Sequence, residues 1–322
     1  MSYKSVWDFG RDSKADYGVH KIGEYPSKIH PLVFNILVER FSKIGDTILD
    51  PFCGSGTVAV EAKLQGRNSI NYDINPKAVQ LTQEKIDSLT KEEIINSYNE
   101  LREDSEVELK RLSTLFVDTK YKFKILELKK NIQKINNIID KIQRGELKFQ
   151  DTKHIIKVGD ARKITIEPNS IDSIITDIPY ASMIKYSNLQ DDISNIENYS
   201  EFVYELENAF KNALTGLKTN GYCVVISADY RIGAAREIFP VHSDLINIMK
   251  KMGLTLFDIY IWRYYRSGSF RPFGKRPFQA MNIHSYITVF YKSDGNEINK
   301  MNQPIKYRKK LIEKIQKNNH TE

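Results

Sequence analysis

The chain has 322 residues, with 48 Lys and Arg against 41 Asp and Glu, and a formal net charge of +7. Hydrophobic residues make up 41% and charged residues 28%, which is typical of globular proteins and excludes disorder throughout. No stretch approaches the roughly 20 apolar residues of a bilayer span, the N-terminus has no secretory signal, and two cysteines are too few for a disulfide framework or a structural zinc site. We therefore expect a cytoplasmic protein with no membrane partner and no metal ion.

The chain begins with a segment of mixed character. Residues 1–45 scatter aromatic side chains among polar ones, which predicts an irregular arm that packs onto the body of the protein. Within them, the apolar residues of 31–41 have helical spacing, and Pro31 suits the first turn of a helix.

A glycine turn follows the first predicted core strand. The apolar run 46–50 ends in an acid, and the turn itself has the sequence DPFCGSGT over 50–57. A helix over 57–64 and a second acid-ended strand over 69–73 come next. Strand, glycine turn, helix and strand in this order form the first half of a nucleotide-binding α/β unit.

The residues of this turn favour an adenosine cofactor without phosphates. Gly54 and Gly56 let the backbone turn tightly and approach a ligand with no Cβ in the way. Asp73 can accept hydrogen bonds from two ribose hydroxyls. The third glycine of a dinucleotide fingerprint is missing and no Lys follows the turn, so pyrophosphate is a poor ligand. Asp50 would sit badly beside a phosphate but can help hold a methionine ammonium, which points to S-adenosylmethionine.

Residues 91–150 interrupt the α/β pattern. They are rich in charge, contain one glycine and no proline, and carry apolar residues at heptad spacing from Ile125 to Ile142. We predict an inserted helical hairpin with an acidic first helix and a basic second one. An intramolecular prop, a homodimer contact and a DNA-gripping arm are the alternatives for its role.

The α/β pattern then resumes. Strands are predicted over 155–160, 172–177, 221–227, 256–262 and 285–291, and helices over 199–218 and 241–252. Asp160 ends the first of these strands and can accept a hydrogen bond from an adenine amino group, with a helix N-cap as the alternative role.

The candidate catalytic motif is Asp177-Ile178-Pro179-Tyr180, at the end of the 172–177 strand. It lies at the sheet edge that carries the glycine turn, where α/β sheets bind ligands. The Asp177 carboxylate and the Ile178 carbonyl can accept hydrogen bonds from an exocyclic amine and expose its lone pair for methyl transfer. Pro179 stiffens the backbone, and Tyr180 offers a flat face on which a flipped base can stack.

These motifs resemble those of the S-adenosylmethionine-dependent DNA amino-methyltransferases, which modify adenine at N6 or cytosine at N4. DPFCGSGT at 50–57 is similar to their cofactor motif, and TDIPY at 176–180 to their catalytic motif (D/N/S)-P-P-(Y/F/W). The segment YPSKIHP at 25–31 resembles the one that contributes to the methionine end of their pocket. Ile178 replaces the first proline of the catalytic motif; the position still supplies a carbonyl, but turn rigidity is left open.

The resemblance implies an α/β fold with a Rossmann-like methyltransferase sheet, mostly parallel with a late antiparallel strand; the inserted helical hairpin, predicted from its heptad spacing, lies outside the resemblance. It also implies a cofactor site made of Tyr25, Pro26, His30, Asp50, Pro51, Phe52, Gly54, Ser55, Gly56, Thr57, Asp73, Ile74, Asp160, Ala161 and Asp177. The expected organisation is an arm and cofactor half (1–90), the insertion (91–150), a catalytic half (151–295) and a basic tail (296–322).

A basic and aromatic loop over 263–283 is the predicted DNA contact. Its five cations, accompanied by no acid, are Arg263, Arg266, Arg271, Lys275 and Arg276. Arg and Lys supply phosphate contacts, Arg can bind guanine in the major groove, and aromatic rings can stack or wedge between bases.

The expected function is site-specific methylation of double-stranded DNA on a flipped base, with adenine N6 favoured slightly over cytosine N4. A cognate restriction enzyme and a homodimer formed through the insertion are the further partners considered. The alternatives are an RNA amino-methyltransferase acting on tRNA or rRNA, and a catalytically silent DNA-binding partner subunit.

Overall fold

The computed structural model describes residues 5–8, 16–26, 28–114, 119–181, 184–230, 238–263 and 284–294. The strands are β1 (Val6–Asp8), β2 (Thr47–Asp50), β3 (Asn68–Asp73), β4 (His154–Val158), β5 (Ile171–Asp177), β6 (Leu217–Ser227), β7 (Thr255–Arg263) and β8 (His284–Tyr291). The helices are α1 (Pro31–Phe41), α2 (Thr57–Leu64), α3 (Pro76–Ser88), α4 (Lys91–Thr114), α5 (Thr119–Gln143), α6 (Tyr199–Gly216) and α7 (Val241–Lys251). Short 3-10 helices cover Gly18–Lys21, Phe149–Asp151 and Ile193–Asn195.

The eight strands form one sheet in the order β1-β7-β8-β6-β5-β2-β3-β4. Only β8, among the strands described, runs antiparallel to its neighbours, so the predicted mostly parallel sheet with a late antiparallel strand is confirmed. The chain leaves β2 towards β3 and β4 and later returns to place β5 on the other side of β2. This reversal opens a crevice at the carboxyl ends of β2 and β5, the place where open α/β sheets bind ligands.

Helices cover both faces of the sheet. On one face, α6 and α7 bury Phe202, Phe210 and Leu245 against the strands. On the other face, α1 and α2 pack Leu37 and Val58 against the sheet. Among the described residues, none of the helices is long and apolar enough to cross a membrane. That same part of the chain contains no cluster of His, Cys, Asp and Glu able to hold a metal ion.

The predicted helical hairpin is present as α4 and α5. The lower part of its seam, Ile139 and Ile142, is buried together with Ile94 and Tyr98 of α4. These residues share a buried cluster with Ala59, Val60 and Leu64 of α2. All eight residues of α2 are buried, because α1 and α3 also pack against this helix. The base of the hairpin therefore packs onto the core as a third layer, as the prop interpretation expects.

One element of the N-terminal arm was predicted wrongly. Val6–Asp8 is not irregular but adds the edge strand β1, parallel to β7, and the buried Trp7 ring contacts both Tyr260 and the side chain of Arg40. Three residues are too short to show a period-2 pattern, and the pairing partner lies about 250 residues further along the chain.

Candidate active site

Three strand-end carboxylates meet in one cavity at the reversal of the strand order. Asp50 ends β2, Asp73 ends β3 and Asp177 ends β5, and all three line this cavity. We call it the strand-end cavity. Of the predicted cofactor residues, those in its lining are Tyr25, Pro26, Asp50, Pro51, Phe52, Gly54, Ser55, Thr57, Asp73, Ile74, Asp160, Ala161 and Asp177.

The glycine turn has the left-handed backbone that its sequence requires, with φ of 49° at Gly54 and 77° at Gly56. A Cβ on Gly54 would lie 3.1 Å from the Tyr25 ring, at the cavity wall. A Cβ on Gly56 would lie 2.6 Å from the side chain of Thr82 on α3. Gly56 is not among the lining residues, and packing against α3 requires that it has no side chain; its role beside the ligand stays a prediction.

Asp73 holds the turn while facing the cavity. Its Oδ2 accepts a hydrogen bond from the Gly54 amide at 2.8 Å, and its Oδ1 accepts one from the Asn75 amide at 2.8 Å. Burial raises the pKa of Asp73 to about 6, although both amide donors act in the opposite direction. Each oxygen keeps a second lone pair, so the carboxylate can still accept from two ligand hydroxyls.

Asp50 is almost fully buried below the turn, with 2% exposure. Its Oδ1 accepts from the Thr176 hydroxyl at 2.7 Å and from the Phe52 amide at 3.2 Å. Burial raises the pKa of Asp50 to about 7 despite these donors. A cation at this end of the cavity would favour the ionised carboxylate.

Asp177 is half-buried at the end of β5 and shares the cavity with Asp50. Burial raises its pKa well above the usual range; the Tyr180 hydroxyl opposes this by donating to Oδ1 at 3.2 Å, and the charge of Asp50 adds to it. The Tyr180 ring itself is buried, at 4% exposure, is close to perpendicular to the Tyr230 ring, and lies outside the lining. In this structure Tyr180 holds Asp177 and does not present the flat face predicted for base stacking.

The isoleucine in the catalytic motif adds a hydrogen bond that proline cannot make. The Ile178 amide donates to the Ile226 carbonyl at 3.3 Å and so extends the pairing of β5 with β6 past Asp177. Ile178 and Pro179 both line the cavity. The rigidity that a first proline would provide is supplied here by the sheet.

Two predicted cofactor residues form hydrogen bonds with residues close to them in sequence. The His30 Nδ1 accepts from the Leu32 amide at 3.2 Å and caps α1, outside the cavity lining, and burial lowers the pKa of His30 to about 4. The Asp160 carboxylate lines the cavity, but its two oxygens accept from Arg162 Nε and Nη2, each at 2.8 Å. Burial would raise the pKa of Asp160, but the Arg162 hydrogen bonds outweigh it and lower the pKa.

Sequence reasoning missed one wall of the cavity. The loop after the catalytic motif brings Tyr186, Asp191, Asp192 and Ile193 to it. The Tyr186 ring stacks on Tyr25, with centroids 6.0 Å apart and planes at 26°, and its carbonyl accepts from Asn75 Nδ2 at 3.0 Å. No local sequence pattern connects this loop to residue 25, so its position at the cavity was not predicted. Lys28, Phe34 and Arg162 also line the cavity without having been predicted.

The predicted DNA-contact residues lie almost entirely outside the described residues. Arg263 is the exposed last residue of β7. The other four predicted residues lie in the undescribed part of the 263–283 loop: Arg266, Arg271, Lys275 and Arg276. The predicted 296–322 tail also lies outside the described residues.

A comparison with protein families agrees with the sequence motifs. The model of a family described as DNA methylase, of the N6/N4 type, matches residues 2–84 and 171–322 and leaves out the segment that contains the hairpin. The chain therefore belongs to the N6/N4 DNA methylase family.

Individual relatives match over shorter stretches. Type II methyltransferase M.MjaII of Methanocaldococcus jannaschii is 36% identical over 80 residues, which are 24% of this chain and 15% of that protein. The tRNA (guanine(10)-N2)-dimethyltransferase of Methanothermobacter thermautotrophicus is 36% identical over 88 residues, 26% of each chain. A SAM-dependent methyltransferase structure from Methanosarcina mazei aligns with a TM-score of 0.43 and 12% identity, over 80% of this chain and 97% of that one. The alignments to these two curated relatives thus cover only a small part of their length.

Proposed function

We propose that the protein is a site-specific DNA methyltransferase that moves the methyl group of S-adenosylmethionine to the exocyclic amine of a flipped base, adenine N6 in the first place. The observation that carries this is the convergence of Asp50, Asp73 and Asp177 on the strand-end cavity. S-adenosylmethionine carries an ammonium and a sulfonium, so a cavity lined by carboxylates complements its positive charges. Asp73 takes the ribose hydroxyls and Asp50 lies on the methionine side.

In this proposal the chain's residues act by positioning and by accepting hydrogen bonds. The Asp177 carboxylate and the Ile178 carbonyl hold the two amine hydrogens, which frees the nitrogen lone pair. The nitrogen attacks the methyl carbon, the carbon–sulfur bond breaks, and its electron pair stays on sulfur. The methylated nitrogen then loses a proton, and Asp177 is the acceptor that we assign, because burial raises its pKa.

Two further parts of the cavity support the proposal. Ile74, Ala161 and Ile193 offer apolar contacts on the side where Asp73 would hold the ribose. Arg162 keeps the Asp160 carboxylate in place, so we assign Asp160 to the rim of the adenine site and not to a free acceptor. The roles of all cofactor and catalytic residues belong to this proposal.

The test is a transfer assay with purified protein, labelled S-adenosylmethionine and DNA of mixed sequence, followed by digestion to nucleosides and mass spectrometry. We expect N6-methyladenine in wild type and none with Asp177→Ala. N4-methylcytosine would keep the methyltransferase and overturn the choice of base. Bound cofactor without transfer to any nucleic acid would identify the silent partner subunit instead.

An RNA substrate is the second candidate, since one relative that matches over 88 residues is a tRNA dimethyltransferase by name. The same assay with total tRNA and rRNA decides between the two, because label in RNA alone would favour this candidate. A cognate restriction enzyme, a homodimer through the hairpin and the four-part division of the chain remain predictions. Light scattering of the whole chain tests the homodimer directly.

A further inference from the structure

A buried lysine lies behind the glycine turn, on the side away from the strand-end cavity. Lys85 of α3 has no exposed surface, and its Nζ donates to the Ser55 carbonyl at 2.8 Å. One helical turn earlier, the Thr82 hydroxyl donates to the Gly54 carbonyl at 3.1 Å. Side chains three positions apart share one face of a helix, so α3 holds two successive carbonyls of the turn.

This arrangement fixes which way the turn's peptide groups point. A buried carbonyl needs a hydrogen-bond partner, and α3 provides these two from behind. Ser55 and Gly54 line the cavity on their other side. With both glycines at positive φ, the turn has little steric preference of its own, and the α3 hydrogen bonds select one orientation.

Burying the Lys85 ammonium costs free energy. Burial and the charge of Lys28 together lower the pKa of Lys85 to about 8, and Asp16 acts in the opposite direction. Lys85→Met would remove both this buried ammonium and the hydrogen bond that the Ser55 carbonyl accepts.

We propose that Lys85, assisted by Thr82, is a positioning residue for S-adenosylmethionine: its hydrogen bond to the Ser55 carbonyl holds the Gly54–Gly56 turn in the conformation that binds the cofactor. The inference rests on the proposed function for the identity of the ligand. Lys85 does not touch the cavity, so it acts on affinity through the turn and not on the transfer step.

The chain contains a matched control. Lys63 of α2 is also buried, at 9% exposure, and its Nζ likewise donates to a single backbone carbonyl, that of Ile86, at 2.8 Å. That carbonyl lies near the end of α3 and outside the cavity lining. Lys63→Met therefore reports the general effect of losing a buried lysine, without the turn.

The experiment measures S-adenosylmethionine binding by titration calorimetry on the full chain, with no DNA present, and then KM and kcat with DNA. For Lys85→Met we expect Kd and KM for the cofactor to rise about tenfold, with kcat at saturating cofactor within about twofold of wild type. Thr82→Val keeps the shape of the side chain and should raise both about threefold. Lys63→Met should leave both within about twofold of wild type.

Three results would overturn the inference. The first is a Lys85→Met Kd equal to that of wild type, and the second is an equal loss of affinity in Lys63→Met. The third is an unchanged Kd in Thr82→Val, which decides the question if Lys85→Met does not fold, because it would show that the hydrogen bonds from α3 to the turn do not affect cofactor binding. Failure of wild type itself to bind S-adenosylmethionine would refute the proposed function and the inference together, and binding without transfer would refute only the former.

Discussion

Gly56→Ala tests whether the glycine turn is defined by its packing against α3. A non-glycine residue at a φ of 77° costs about 1–2 kcal/mol in backbone strain. The new methyl group would also lie 2.6 Å from Thr82 Cγ2 and Oγ1, and relieving such a contact in a buried site costs about 1–3 kcal/mol. We therefore expect Gly56→Ala to lower the free energy of unfolding by about 2–5 kcal/mol.

Gly45 supplies the control for backbone strain alone. Its φ is 89°, and a Cβ there would meet nothing within 4 Å, so Gly45→Ala should cost only about 1–2 kcal/mol. Urea denaturation of both variants gives the difference that belongs to the Thr82 contact. In a Thr82→Ala background, which removes both atoms at 2.6 Å, that difference should shrink. Equal losses in Gly56→Ala and Gly45→Ala would refute the packing argument.

Four further predictions concern residues at the carboxyl ends of β5 and β2. Ile178→Pro removes the amide that donates to Ile226, so it should lower the free energy of unfolding, measured by urea denaturation, by about 1 kcal/mol and keep methyl transfer. Abolished transfer would show that this hydrogen bond positions the Ile178 carbonyl. Tyr180→Phe removes the hydroxyl that donates to Asp177, so it should shift the acidic limb of the pH–kcat profile to higher pH; an unchanged profile would exclude a role of that hydrogen bond. Tyr180→Ala should keep cofactor binding and lose turnover. Normal turnover in this variant would show that the mechanism does not need the ring. Because the pKa of Asp50 is raised from 3.8 to about 7, the folded chain keeps a proton that the unfolded chain has released. Its contribution to the free energy of unfolding therefore falls as the pH rises from about 4 to about 7, and Asp50→Asn should flatten that slope in urea titrations; an unchanged slope would contradict the raised pKa.

The predicted site residues that meet in the strand-end cavity are mostly local in sequence. Asp50, the glycine turn and Asp73 lie within 24 residues, so strand, turn and helix signals fix their relation. The edge-of-sheet rule then adds Asp177 without any knowledge of contacts. Predicting the hairpin needed only its heptad spacing, because the two helices are neighbours in sequence.

The parts that were missed depend on contacts between distant segments. Tyr186 reaches the cavity because its ring meets Tyr25, 161 positions earlier, and no periodicity records such a pairing. A second case is the buried carboxylate of Glu61, which accepts from Tyr17 and from Asn35 Nδ2 at 2.9 Å and pairs with His20 at 2.8 Å. In the sequence, Glu61 is one more polar residue on a predicted helix. Its burial from water depends on contacts with distant segments such as the N-terminal arm.

The position of the hairpin determines how much free energy an insertion between β2 and β5 costs. The catalytic strand β5 must pair with β2, about 120 residues earlier, and roughly half of that interval is the insertion. Doubling the length of a closed loop costs only about 0.6 kcal/mol of entropy. The buried base of the hairpin, with Ile94, Tyr98 and Ile142, offsets more than this. A longer insertion here therefore costs little free energy for the pairing of β5 with β2. Deleting the segment would expose the apolar residues of α2 that pack against the hairpin base, next to the glycine turn.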